Sequence, residues 1–171
     1  VMNIVLCGMM GCGKTTVAEE LSRLTGMARA DTDEEIVKRY GRIADIFAQH
    51  GEEYFRGLER QTVREISARS NTVIATGGGC VLDGENVANL KRGGRIIFLR
   101  TSPETLLKRL EGDTERPLLA GGAKERIAEL LPARTPKYMA AADFTVDTDG
   151  LSPRAVAERI LELCGLKNCG D

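Results

Sequence analysis

The chain predicts an α/β fold: a central parallel sheet of five strands between helices, in three α/β/α layers. Three observations predict it. Apolar, strand-like runs alternate with amphipathic helical stretches through almost all of the 171 residues, the pattern of successive βα units. The first run, Met2 to Cys7, passes through Gly8-Met9-Met10-Gly11-Cys12-Gly13-Lys14-Thr15 directly into a helical pattern from Thr16 to Leu24. No linker, internal repeat or low-complexity segment divides the chain, so residues 1–171 read as one domain.

The spacing G-x-x-x-x-G-K-T between a strand and a helix is that of a phosphate-binding P-loop. Its glycines free successive backbone N–H groups to point into one concavity. The helix that starts there adds unpaired N–H donors and the positive end of its dipole. Lys14 supplies a full charge near the β- and γ-phosphates, and the Thr15 hydroxyl is placed to ligate Mg²⁺. With average glycine usage, such a match arises by chance at roughly a few in 10⁵ positions. The flanking strand and helix lower that further, so the loop is read as a nucleotide site containing Gly11, Cys12, Gly13, Lys14, Thr15 and Thr16. Cys12 sits where bound phosphate is expected, and a loop that attracts phosphate also favours a thiolate.

The remaining elements follow in order. Gly26 stops the first helix, and Met27 to Ala30 is taken as a strand only because the alternation asks for one. Asp31-Thr32-Asp33 follows; on an extended backbone its two aspartates, two apart, would turn to one side, and Thr32 or Asp33 is expected to cap a helix from Glu34 to Tyr40. Ile43 to Ser70 is helical with a break near Gly51, and Thr72 to Thr76 is a strong strand that meets Gly77-Gly78-Gly79. A helix near Glu85 to Lys91 precedes the strand Arg95 to Leu99, and Pro103 opens a helix to Leu110. The polar, turn-rich stretch from Glu111 to Gly122 reads as a mobile surface loop, with a lid near residues 112–122. Helix resumes at Ala123 and continues past Pro132 to about Ala141. Phe144 to Asp147 is the last strand, Ser152-Pro153 opens a closing helix to Leu163, and the tail from Gly165 is expected to fray.

Composition excludes several classes of function. A formal net charge of −1 gives no electrostatic case for nucleic acid or an anionic membrane. No stretch has the layout of a signal peptide or the length of a membrane span, so a cytosolic, monomeric protein is expected. Five cysteines at irregular spacing, with no C-x-x-C pair, argue against a disulfide framework or a zinc site. No Asn-Lys-x-Asp of the kind that reads guanine is present. A small domain with an arginine-bearing lid suits phosphoryl transfer to a small molecule, because closure must exclude water.

Five separated motifs then carry a specific resemblance: Gly8 to Thr16; Asp31-Thr32-Asp33; the run from Ile43-Ala44-Asp45-Ile46-Phe47 through Gly51-Glu52, Phe55-Arg56 and Glu59; Thr76-Gly77-Gly78-Gly79; and Arg116-Pro117-Leu118-Leu119 followed by Arg134 and Tyr138. In this order they resemble the shikimate kinase family along nearly the whole chain. The resemblance implies a nucleoside-monophosphate-kinase-like fold with an acceptor-binding helical segment near residues 33–60. It implies transfer from ATP to the 3-hydroxyl of shikimate, giving 3-phosphoshikimate and ADP in aromatic amino-acid biosynthesis. Mg²⁺ would be held through Thr15 and, by way of water, Asp31. Asp33 would bind the acceptor hydroxyls, acting either as general base or by orienting the reacting one. Arg56 and Arg134 would hold the acceptor carboxylate, with Glu59 steadying Arg56 from three residues along a helix. Phe47 and Phe55 would form apolar walls, and Gly77, Gly78 and Gly79 would meet the acceptor through backbone N–H groups. Arg116 would swing over the phosphates as an arginine finger supplied in cis, and Arg109 would stack on adenine beside Pro153. Other small-molecule P-loop kinases, such as gluconate or nucleotide kinases, and a catalytically silent nucleotide-binding domain are the competing readings.

Overall fold

β1 (Asn3–Cys7) is buried at every position, which a strand can be only where both faces of its sheet are covered. It is the middle strand of five. β2 (Ala28–Asp31), β3 (Thr72–Ala75), β4 (Gly94–Arg100) and β5 (Phe144–Asp147) complete a sheet of order β2-β3-β1-β4-β5, and every neighbouring pair is parallel. Ile4 lies opposite Val73 on one side and Arg95 on the other, so the sheet centre is stacked from Ile4, Val5, Leu6, Val73, Ile74, Ile96 and Ile97. Asn3 fixes the lower end: its amide donates to the Arg69 carbonyl at 2.8 Å and its Oδ1 accepts the Thr72 N–H at 2.9 Å. This computed structural model describes residues 2–110 and 122–169. The expected lid lies outside the described residues except for Gly122, and Arg116 lies outside them too.

Helices α1 (Lys14–Thr25), α2 (Thr32–Tyr40), α3 (Ile43–His50), α4 (Glu52–Ser67), α5 (Gly84–Gly93), α6 (Pro103–Leu110), α7 (Ala123–Ala141) and α8 (Pro153–Cys164) flank the sheet, with one 3₁₀ turn at Cys80–Leu82. α1 packs on α8, and α4 on α5. Helices α2, α3 and α4 enclose an apolar cluster of their own. Ile36, Ile46 and Phe55 are buried there, with Ile43, Phe47 and Leu58 packed around them. Among the described residues no helix is long and apolar enough to cross a membrane.

Three expectations need correcting. The cap of α2 is neither Thr32 nor Asp33 but Asp31, whose Oδ1 accepts the Asp33 and Glu34 N–H groups at 2.9 and 3.1 Å. The helix therefore starts at Thr32, and Asp33 occupies its first turn instead of an extended backbone. α5, expected near Glu85 to Lys91, is found there and is likewise capped by an aspartate, Asp83. The C-terminal tail does not fray at Gly165: Leu166 packs against the main core, and the Cys169 N–H donates to the Leu24 carbonyl at 2.9 Å. An apolar residue just past a helix stop found a surface to cover, which tail composition alone does not reveal.

Candidate active site

Three of the motifs leave the carboxyl end of a strand, whereas the run from Ile43 to Glu59 lies on α3 and α4, and Arg134 and Tyr138 lie on α7. The P-loop follows β1, the Asp31-Thr32-Asp33 turn follows β2, and the three glycines follow β3. α6, which carries Arg109, follows β4, and the turn from Thr148 to Pro153 follows β5. In an open parallel sheet this edge is where ligands bind. It holds one cavity of about 1060 Å³. Its lining includes Gly11, Cys12, Gly13, Lys14, Thr15, Thr16, Arg109 and Pro153 at one end, and Phe47, Phe55, Arg56, Glu59, Gly77, Gly78, Gly79 and Arg134 at the other. Asp31 and Asp33 also line it.

At the donor end, tight packing shapes the P-loop. A Cβ on Gly8, whose φ is +147°, would stand 2.8 Å from both the Cys12 sulfur and the Leu99 carbonyl oxygen. The Lys14 ammonium donates to the Gly8 and Met9 carbonyls at 2.5 and 3.1 Å, so it is anchored across the mouth of the loop. The Cys12 N–H closes the turn onto the Met9 carbonyl at 3.1 Å. Cys12 itself is only 2% exposed, so its thiol is less open to reagents than its loop position suggests. Arg109 reaches back from α6 to the Gly11 carbonyl at 3.0 Å and stands beside the loop. Thr15 and Asp31 present hard oxygen donors to one cavity. Asp31 makes both of its cap bonds through a single oxygen. An ion that arrives on a nucleotide and keeps most of its water needs only one or two such protein ligands, so this pair fits Mg²⁺.

The three glycines form the floor of the acceptor end, and each lacks a Cβ where a functional side chain approaches. A Cβ on Gly77 would lie 2.5 Å from Asp33 Oδ1, one on Gly78 would lie 3.3 Å from Arg134 Nη1, and one on Gly79 would lie 2.7 Å from Arg56 Cζ and Nη1. The loop is also pinned. The Gly77 N–H donates to Thr32 Oγ1 at 3.0 Å, and the Gly78 carbonyl accepts from the Tyr138 hydroxyl at 2.5 Å. The close pair Asp31 and Asp33 thus share one cavity through the strand-to-helix turn, not through an extended backbone.

Electrostatics distinguish the two arginines. Arg56 donates to Glu59 at 3.0 and 3.3 Å and to Glu52 at 3.2 Å, and its guanidinium lies 5.2 Å from the Phe55 ring centre. Burial opposes its charge, but the two carboxylates outweigh burial and raise its pKa. Glu59 is 1% exposed. Burial pushes its carboxyl up to about 7 against the pull of Arg56, and the charges of Asp33 and Asp83 add to the rise. Arg134 is 7% exposed, and its Nη1 is buried without a hydrogen-bond partner among the described residues. A buried guanidinium nitrogen left in that state requires an anionic or polar partner to offset its desolvation.

Other arginines are spent in ion pairs near the surface. Arg39 pairs with Glu35 and Glu65, Arg60 with Asp83, and Arg64 with Glu85. His50 stacks on Tyr54 with ring centres 4.3 Å apart, away from the cavity lining. Sequence reasoning missed Val37 and Ile43 at the acceptor end, and Leu110, Leu151 and Val156 near the nucleotide end. Val37 and Leu151 are large apolar residues left 43% exposed in the fold, a signal that appears only once the helices are placed. Thr32, expected only as a helix cap, and Tyr138, quoted only within a motif, hold the glycine floor.

Comparison with known proteins agrees with this geometry. A shikimate kinase family model matches residues 10–165. A shikimate kinase of Moorella thermoacetica is 47% identical over 94% of this chain and 92% of its own length. One from Caldicellulosiruptor saccharolyticus is 45% identical over 94% of each chain. Among solved structures, shikimate kinase from Acinetobacter baumannii in complex with shikimate superposes with a TM-score of 0.92 at 37% identity, covering 96% of this chain and 93% of that one. With more than two thirds of the chain matched at these identities, the chain belongs to the shikimate kinase family.

Proposed function

We propose that this chain transfers the γ-phosphoryl group of ATP to the 3-hydroxyl of shikimate, releasing 3-phosphoshikimate and ADP. One observation carries the reading: two guanidinium groups, one with a buried nitrogen that lacks a hydrogen-bond partner among the described residues, approach adjacent glycines at the far end of a cavity that starts at a P-loop. Such an end suits an acceptor that carries a carboxylate.

The chemistry needed is mainly positioning, because phosphoryl transfer gives the protein little covalent work. Arg134 and Arg56 take the carboxylate, Phe47 and Phe55 flank the ring, and Asp33 accepts from the reacting hydroxyl. With its carboxylate against Gly77, Asp33 orients the hydroxyl toward the P-loop and can take its proton as transfer proceeds. Lys14 moves from its carbonyl anchors to the phosphates, and Arg116 adds charge over them. Arg109 and Pro153 flank the adenine. Thr15 and Asp31 would hold Mg²⁺, which would supply charge neutralisation on the phosphates. The enzyme acts as a monomer in the cytosol.

A coupled ADP-release assay tests this: turnover must depend on shikimate. Turnover of gluconate in place of shikimate overturns the acceptor assignment. ATP binding without shikimate-dependent turnover overturns the catalytic one. Sedimentation at micromolar concentration checks the monomer.

A further inference from the structure

We propose that Tyr138 is a positioning residue for the acceptor, holding the glycine floor and Arg134 in register through its hydroxyl. The inference rests on the shikimate kinase reading and adds a residue that does not itself line the cavity. Tyr138 is fully buried in α7, its ring 5.1 Å from that of Phe98 in β4. Its hydroxyl donates to the Gly78 carbonyl at 2.5 Å and lies 3.7 Å from the Met9 sulfur in the P-loop. One side chain therefore touches the donor loop and the acceptor floor together.

Arg134 stands one turn earlier on the same helix, with its Nη1 over Gly78. The ladder of hydrogen bonds around that turn is incomplete. Pro132 and Pro136 lie inside α7, and each removes an N–H donor from the helical ladder on either side of Arg134. Thr135 spends its hydroxyl on the Leu131 carbonyl at 2.7 Å, a local bond that leaves the tertiary position of the turn open. An anchor outside the ladder is needed, and the Tyr138 hydroxyl provides it at the glycine that Arg134 overlies. From the other side, Thr32 accepts the Gly77 N–H, so the floor is pinned between α2 and α7.

The test uses Tyr138→Phe, which keeps the ring on Phe98 and deletes the hydroxyl. With the wild type turning over shikimate in the same ADP-release assay, the variant is expected to raise the shikimate KM by roughly three- to tenfold, the worth of one neutral hydrogen bond. The ATP KM is expected to stay within about twofold. A purely structural role predicts a lower melting temperature with both KM values unmoved, and that result overturns the proposal. Equal rises in both KM values overturn it as well. Thr32→Val, which frees the opposite side of the floor, should show the same selective rise. If Tyr138→Phe does not fold, an unchanged shikimate KM in Thr32→Val overturns it instead. Absence of shikimate turnover in the wild type would refute the reaction itself, a failure distinct from either variant result.

Discussion

Replacing Gly79 with alanine tests the acceptor end by adding a single methyl group. The new Cβ would stand 2.7 Å from Arg56 Cζ and Nη1, inside the closest approach that carbon and nitrogen tolerate. The backbone accepts the change, since Gly79 has φ −99° and ψ 1°, open to any L-residue. The strain therefore falls on the Arg56 guanidinium, which must leave its position between Glu52, Glu59 and the floor. The cost to folding is limited, because Glu59 already titrates near 7 and takes up a proton when its partner withdraws. The cost to binding is not limited. Losing a charge-assisted hydrogen bond to the acceptor is worth about 1.5–3 kcal/mol, which converts to a roughly 10- to 150-fold rise in the shikimate KM. Gly79→Ala should show that rise in the coupled assay, with the ATP KM within about twofold and a cooperative thermal transition. Gly84→Ala is the control, since its Cβ meets nothing within 4 Å. A shikimate KM for folded Gly79→Ala equal to that of the control would refute the placement of Arg56 at the acceptor.

Three other outcomes are expected. Lys14→Ala should cut kcat by about 10²–10³-fold with the fold intact by circular dichroism, since it removes a charge aimed at the transferring group. Asp33→Asn should keep ATP affinity, read by calorimetry, while losing most turnover; near-normal turnover would remove Asp33 from the acceptor site. Stability should depend on pH through Glu59. Its carboxyl is raised from 4.5 to about 7 in the folded protein, so the folded state binds the proton more tightly than the unfolded one. The stabilisation is complete below about pH 4.5 and is lost as pH rises through about 7, an effect on the order of 3 kcal/mol. Denaturant titrations of wild type and Glu59→Gln across that window should differ in slope, and parallel curves would mean that Glu59 is not buried as described.

Some of this molecule was legible in the chain and some was not, and the division is physical. The P-loop could be read because its chemistry depends on local backbone freedom and fixed spacing, and the structure places it between β1 and α1. β2 was read only from alternation, because it is a half-exposed edge strand of Ala28-Arg29-Ala30-Asp31 with little apolar surface to bury. The cap at Asp31 was misassigned among three adjacent cap-forming residues, since local propensity cannot say where a strand will stop and a helix begin. The three glycines signalled a close approach, but not to what. Their partners Asp33, Arg134 and Arg56 come from three different helices, so only the tertiary fold brings them together. Thr32 and Tyr138 act solely through contacts made across the sheet edge, at separations of 45 and 60 residues. No sequence window reports such pairs.

The acceptor end is built by omission as much as by addition. Guanidinium and carboxylate groups of opposite charge, crowded at one sheet edge, would ordinarily neutralise each other and leave nothing for a ligand. Here Arg56 is held by two carboxylates, the exposed Glu52 and the buried Glu59, and burial raises the Glu59 carboxyl to about 7. Arg134 has a nitrogen that no described residue satisfies, and it stands on a continuous helix that contains two prolines. Side chains at positions 77, 78 and 79 would push all three functional groups back from the floor, and bare glycines let them close to contact distance. Positive charge therefore stays available at a rigid site, and it is rigid because Thr32 and Tyr138 hold the glycine backbone from opposite sides. In the proposed reading, specificity for a hydroxylated carboxylic acid would depend on the spacing between these groups. A substitution that preserves every charge but shifts the floor should discriminate against the acceptor and leave the nucleotide almost untouched.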